Sequence, residues 1–375
     1  MSSLRALLTD PARNVTPELA ELDERLNRRI GSLEKLMSEL LVQQDARLDD
    51  RIRHFQSPSK QDSLEGELSE RLHHQEAKLN DYIRESRTMF LNLTLPEQDK
   101  WRWTADGSAP SDNAFPTSTG CREEDFRQPW FAYWTDRMQE RLRYHRKLWE
   151  FVYICQALYE RGCLQPGKSG LGFGVGEEIL PALFAASGCA VLATDQEADA
   201  AVHTGWTATA QHAAGKHALP RRGVCDEAIF EERVDFRAVD MNAIPDDIGA
   251  FDFCWSACAL EHLGSIDKGL AFIENSVACL NPGGFAVHTT EFNISSNGHT
   301  LADGHTVLFR RRDFEAFAER MASMGHEVAP FDFSPGFGVM DNFIDAPPYM
   351  AEPHLKLALA GYACTSFGIV VRKKA

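Results

Sequence analysis

Gly170-Leu171-Gly172-Phe173-Gly174-Val175-Gly176-Glu177 runs into a helical stretch, and Val191-Leu192-Ala193-Thr194-Asp195 follows it. The pattern is an apolar strand, a glycine-rich turn, a helix and a second strand that ends in an acid. Missing side chains in the turn let the backbone approach a ligand, and the helix start points free amides at the same place. An acid at the end of the second strand is placed to accept hydrogen bonds from ribose hydroxyls. The stretch therefore reads as a nucleotide-cofactor site.

Downstream, strands and helices alternate. Strands are predicted at about 169–173, 190–194, up to Val239-Asp240, at Phe251-Asp252-Phe253-Cys254-Trp255 and from about Gly284 to Thr290. Two more are expected near 327–333 and 366–372, with an amphipathic helix near 354–362 between them. Such alternation predicts an α/β fold with a mostly parallel, doubly wound sheet. Residues 196–233 form an unusually long connection, the kind that often serves as a functional loop.

A nicotinamide site usually carries GxGxxG. Counting from Gly172 the last position is Glu177, and counting from Gly170 it is Val175, so neither register completes the pattern. The chain instead offers Gly-x-Gly-x-Gly, Asp195, Val239-Asp240-Met241, the strand through Trp255-Ser256 and the turn Leu280-Asn281-Pro282-Gly283-Gly284. That ordered set resembles the Rossmann-like S-adenosylmethionine-dependent methyltransferases over about 165–295, and the last two strands extend it to the C-terminus. The resemblance implies a seven-stranded sheet with an antiparallel C-terminal strand and S-adenosylmethionine as cofactor. It implies that the backbone of Gly172, Phe173, Gly174 and Gly176 lies beside the methionine portion and that Asp195 holds the ribose. Asp240 would accept from the adenine amino group with Met241 against the ring, and Ser256 to Cys258 would lie near the sulfonium. His262, in Leu260-Glu261-His262-Leu263, would support the fold or the pocket rather than act as base. Two positions depart from the family pattern: Gly172 stands where an acid is common, and Glu178 where a third glycine is. Acids at 177 and 178 suit a helix N-terminus, and they are placed to take over part of the missing acid's role.

Strand five leads into Val287-His288-Thr289-Thr290-Glu291-Phe292-Asn293, with His299, Asp303 and His305 beyond it. Polar groups after an apolar strand, at the edge where an α/β sheet binds ligands, nominate His288 and Glu291 as the general base or as substrate-binding groups. His305, Asp341, Asp345 and Tyr349 are the further substrate-binding candidates, the last three in a loop around Pro347-Pro348 placed to close over the site. No HExxH or paired Cys/His module is present, and the spacing selects no metal. The C-terminal half also resembles methyltransferases associated with bacterial glycan or polysaccharide assembly, which implies methyl transfer to a sugar hydroxyl.

The rest of the chain bounds this reading. Three regions are expected: a helical hairpin or coiled-coil extension at 1–100, a linker and lead-in helix at 101–160, and the catalytic domain at 161–375. Leu19, Leu22, Leu26, Ile30, Leu33, Met37 and Leu40 recur at three- and four-residue steps, and a second stripe passes through Leu64, Leu68, Leu72, Leu79 and Ile83. These stripes fit self-association into a homo-oligomer, docking to a partner, or packing on the chain's own domain. They also sustain an alternative in which the chain is an assembly protein with a degenerate cofactor fold. Trp149 and Tyr153, in the lead-in helix, are expected to pack in the core. A formal charge of −16 argues against nucleic acid as the main partner. No apolar run reaches the roughly 18 residues needed to span a bilayer, and no secretory signal is evident. Nine scattered cysteines without a CxxC pair read as reduced thiols, and the expected location is cytoplasmic.

Overall fold

The computed structural model describes residues 69–75, 77, 78, 81, 117–197, 213–220 and 223–375. The chain divides into two units, 1–89 and 90–375. In the first, the described residues are helical and Leu72 is exposed. The other stripe leucines and any coiled-coil pairing lie outside the described residues.

In the second unit the strands are β1 (Ser118–Thr119), β2 (Ser169–Phe173), β3 (Ala190–Asp195), β4 (Val234–Ala238), β5 (Phe251–Ala257) and β6 (Leu280–Asn293), followed by β7 (Glu327–Val328), β8 (Phe331–Asp332), β9 (Ile344–Asp345), β10 (Lys356–Leu359) and β11 (Tyr362–Arg372). The helices are α1 (Pro129–Arg137), α2 (Arg146–Glu160), α3 (Leu180–Ala186), α4 (Glu227–Arg233), α5 (Ile266–Ala278) and α6 (Arg311–Ser323). The main sheet runs β4-β3-β2-β5-β6-β11-β10-β9, with β7 on the end of β11. Strands β2 to β6 pair in parallel, and β11 lies antiparallel to β6. This is the mostly parallel Rossmann-like sheet with an antiparallel C-terminal strand. Among the described residues it has nine strands rather than seven, because the short β7 and β9 extend its edges.

Alternation of side chains wraps the sheet on both faces. Phe253, Trp255, Val287 and Val370 point into one core with α1, α2 and α3, while Cys254, Ala286, Ile369 and Val371 point into the other with α5 and α6. Trp149 and Tyr153 are fully buried in the first core, as expected. The amphipathic helix expected near 354–362 does not exist. That segment is the hairpin β10–β11, turned by Ala360 (φ 47°) and Gly361 (φ 85°), and two left-handed residues between Leu359 and Tyr362 match the twist of a tight hairpin. β3 lies to one side of β2 and β5 to the other, so the order reverses there and opens a crevice at the strands' C-terminal ends.

Candidate functional site

A cavity of about 410 Å³ occupies that crevice, within the usual range for small-molecule sites. Its walls come from five places: Lys147 and Phe151 on α2, Gly174 to Glu178 after β2, Asp195 and Gln196 after β3, Val239 to Asn242 after β4, and the segment after β5 with Ala257 to Ala259, His262 and Leu263.

The glycine turn is shaped by necessity. Gly174 has φ of 57° and Gly176 of 49°, a left-handed backbone that disfavours a side chain. A Cβ on Gly174 would lie 3.0 Å from Ala259 and 3.2 Å from the sulfur of Met241. Asp195 Oδ2 accepts from the amides of Gly176 and Ala213, both at 3.0 Å, and Oδ1 accepts from Gln196 N at 2.8 Å. The acid therefore ties the turn to the end of β3. Asp240 is exposed and closes an Asx turn on Asn242 N at 2.8 Å through Oδ1, with Met241 buried beside it.

Gly172 and Phe173 do not line the cavity; both are buried in β2. The space an acid would fill at 172 belongs to Trp255, whose Cζ2 would lie 2.4 Å from a Cβ there. Glu178 reaches the cavity wall instead. Burial pushes its carboxyl up to about 8 against the Trp255 hydrogen bond and Lys147, which favour the anion.

His288 is not a base in this cavity. It is fully buried between β5 and α5, and Ser276 and Ser256 take both ring nitrogens. Ser276 Oγ donates to Ile273 O at 2.7 Å, so it accepts from Nε2–H at 3.0 Å, and Ser256 donates to Nδ1 at 2.8 Å. Burial lowers the imidazole to about 3, which keeps this tautomer neutral. Ser256 is accordingly an interior residue, and the neighbouring Ala257 and Cys258 form the cavity wall. The strand's alternation decides this, since residue 256 points away from the face that 257 lines.

Glu291 is buried at the end of β6 with Arg146 Nη1 at 2.5 Å. Arg146 also meets Glu150 at 3.3 Å and Ser366 Oγ at 3.0 Å, and Lys147 meets Glu150 at 3.0 Å. Burial opposes the guanidinium, but Glu291 and Glu150 outweigh it and hold Arg146 above its ordinary range. Burial raises Glu291, with Arg146 working against the rise. His262 faces the cavity and donates from Nδ1 to His305 O at 2.7 Å, a supporting role of the kind expected for it.

The other substrate candidates have different surroundings. His305 is exposed and meets His262 through its backbone. Asp341 accepts from Glu123 N and Gly338 N, Asp345 accepts from Met350 N and pairs with His354 at 2.6 Å, and Tyr349 donates to Ala358 O. None of the four lines this cavity. Sequence reasoning missed Lys147, Phe151, Arg146 and Glu150. Their signal was charge inside an aromatic helix, where Arg146, Lys147 and Glu150 at three- and four-residue spacing share one face.

No protein-family model matches the chain, and neither does any curated protein. Solved structures do match. A Galdieria sulphuraria protein described as a sarcosine dimethylglycine methyltransferase has 14% identity and a TM-score of 0.40, over 68% of this chain and 92% of that one. The N-terminal domain of EvdMO1, solved in the presence of SAH and D-fucose, has 14% identity and a TM-score of 0.37 over 59% and 82%. Phosphoethanolamine N-methyltransferase 2 of Haemonchus contortus, solved with S-adenosyl-L-methionine, has 16% identity and a TM-score of 0.35 over 58% and 51%.

Proposed function

We propose that the cavity binds S-adenosylmethionine and that the protein transfers its methyl group to a hydroxyl oxygen of a sugar or glycan. The observation that carries the reading is convergence. The left-handed glycine turn, Asp195, and Asp240 with Met241 all border one volume at the C-terminal ends of β2, β3 and the segment after β4. In this reading Asp195 would face the ribose hydroxyls, Asp240 Oδ2 would accept from the amino group of the base, and the Met241 side chain would lie against its ring. Glu178, at the cavity wall beside the turn, would face the cofactor's ammonium group.

When bound, the cofactor supplies an activated methyl on a positive sulfur. The protein must hold the acceptor oxygen in line and exclude water. The hydroxyl proton of the acceptor would have to pass to a base at this end of the site as the methyl is taken up. Of Ser256 to Cys258, which the resemblance places near the sulfonium end, Ala257 and Cys258 border the cavity. Glu291, behind Cys258, is the nominated base candidate that remains there. The glycan acceptor rests on the sequence resemblance. Self-association through the N-terminal helices and a cytoplasmic location are parts of the same proposal; among the described residues no helix is long and apolar enough to cross a membrane.

Calorimetry of the full chain with S-adenosylmethionine and S-adenosylhomocysteine tests the reading, with Asp195→Ala as the control. Binding of both by the intact chain, weakened at least about tenfold in the variant, supports it. If the intact chain binds neither, the proposal falls.

A further inference from the structure

The end of the cavity at Cys258 is backed by two buried acids, Glu261 and Glu291. The Cys258 sulfur and one oxygen from each of Glu261 and Glu291 lie within 4.8 Å of one another. The two carboxylates are almost completely buried, with side-chain exposures of 1% and 6%. Each is fixed by one oxygen and leaves the other without a hydrogen bond. Thr290 Oγ1 donates to Glu261 Oε2 at 3.1 Å, while Glu261 Oε1 has no hydrogen bond and faces His262 Nε2 at 3.9 Å. Arg146 holds Glu291 Oε1 while Glu291 Oε2 has none. Two orphaned carboxylate oxygens in one dry place are costly unless something pairs with them.

We infer that Cys258, Glu261 and Glu291 form a binding site for a thiophilic divalent metal ion of the zinc class, behind the wall of the cavity.

Three features support the assignment. The spacing suits three ligands around a single ion, and a sulfur with two carboxylate oxygens is a donor set zinc accepts. Cys258 is held in a left-handed backbone, φ 49°, by its amide, which donates to Thr289 O at 3.0 Å and Thr289 Oγ1 at 3.1 Å. That posture costs energy for a non-glycine residue and presents the thiol between the cavity and the carboxylates. Arg146 and Thr290 act as the outer partners that orient metal-ligating carboxylates.

The ligands come from the turn after β5 and the end of β6, more than a pairwise motif apart, which is why their spacing in the sequence selects no metal.

The inference is independent of cofactor binding, and its test uses neither cofactor nor acceptor. Full-length protein stripped with a chelator is titrated with Zn²⁺, and with Co²⁺ as a spectroscopic probe. One ion per chain is expected, with a thiolate-to-cobalt charge-transfer band. Cys258→Ser should lose the band, and Glu261→Gln and Glu291→Gln should weaken Zn²⁺ by at least about 100-fold, whereas Cys279→Ser should change neither. Because a variant in a buried cluster can misfold, X-ray absorption on the zinc-loaded wild type gives a second reading: one sulfur at about 2.3 Å with the remaining scatterers oxygen or nitrogen at about 2.0–2.2 Å. No saturable binding, an unchanged band in Cys258→Ser, or a zinc shell with no sulfur or several overturns the inference. Failure here leaves S-adenosylmethionine binding untouched, and failure of that binding leaves this titration unaffected.

Discussion

Trp255 Nε1 donates to Glu178 Oε1 at 2.6 Å, and the same indole fills the space beside Gly172, so one side chain touches both positions at which the glycine-rich turn departs from the pattern it resembles. The Trp255 ring lies over Gly172, packed edge-on against Phe184 at 4.9 Å. A side chain at 172 is therefore excluded by the residue that anchors the acid at 178. Loss of an acid in one place and gain of an acid in another are a matched pair, so the departures do not by themselves argue for a degenerate fold.

Restoring the common acid should damage the protein. In Gly172→Asp the new Cβ meets Trp255 at 2.4 Å and Val175 at 2.7 Å, an overpacking expected to cost at least about 1–3 kcal/mol. The melting temperature should fall, and Trp255→Val in the same chain should recover part of the loss. An unchanged melting temperature in the single variant would show that the core has slack the packing does not reveal.

Cofactor affinity should depend on pH through Glu178. Burial places its carboxyl at about 8, so at pH 6 the free protein holds it protonated and an ammonium ligand must ionise it. Binding of S-adenosylhomocysteine should tighten as pH rises from 6 to 8, by up to about tenfold per unit, and Glu178→Gln should flatten the curve. Folding moves the opposite way: a raised carboxyl adds stability below its ordinary range of about 4.5 and loses it as pH rises through about 8. Parallel slopes for wild type and variant would remove Glu178 from the site.

His288→Leu should lower stability without abolishing cofactor binding. It strands the Ser256 and Ser276 hydroxyls, worth about 1–3 kcal/mol. The imidazole is lowered from about 6.5 to about 3, so its stabilisation is complete above 6.5 and is lost as pH falls toward 3, at up to about 1.4 kcal/mol per unit. Asp125, raised by burial to about 7, and Glu178 oppose this trend in the wild type. The difference between wild type and variant isolates the histidine: denaturant unfolding at pH 6.5 and 4.5 should show the gap narrowing on acidification. A gap that stays constant would refute the neutral, buried assignment.

A chain starting at Phe90 should keep cofactor affinity within about twofold and lose self-association, read by calorimetry and light scattering. Equal oligomer mass in both forms would remove the helical stripes from assembly.

That the glycine turn, Asp195, Asp240 and Met241 border one cavity was legible because a strand–turn–helix with acids at the ends of the next strands puts those positions on one edge of a parallel sheet. The parallel order was legible for a similar reason, as period-two apolar runs between helical ones. His288 misled because a polar residue at a strand end looks the same whether it faces the crevice or a pair of serines behind the sheet. Residues 354–362 misled because apolar positions among polar ones suit a helix until Ala360 and Gly361 turn the chain.

The sequence by itself determined the class of fold and the turn that approaches a ligand, since both follow from local backbone demands and the period of the apolar residues. Only the tertiary structure decided which side chains meet at and behind the cavity wall: that Trp255 occupies the space above Gly172, that Lys147 of α2 lines the cavity with Arg146 and Glu150 beside it, and that Glu261 and Glu291 lie behind Cys258. Those meetings depend on the register of β5 against β6 and on the packing of α2 across the sheet. A one-residue shift in register would send each strand residue to the opposite face, and no local pattern in the chain reports it.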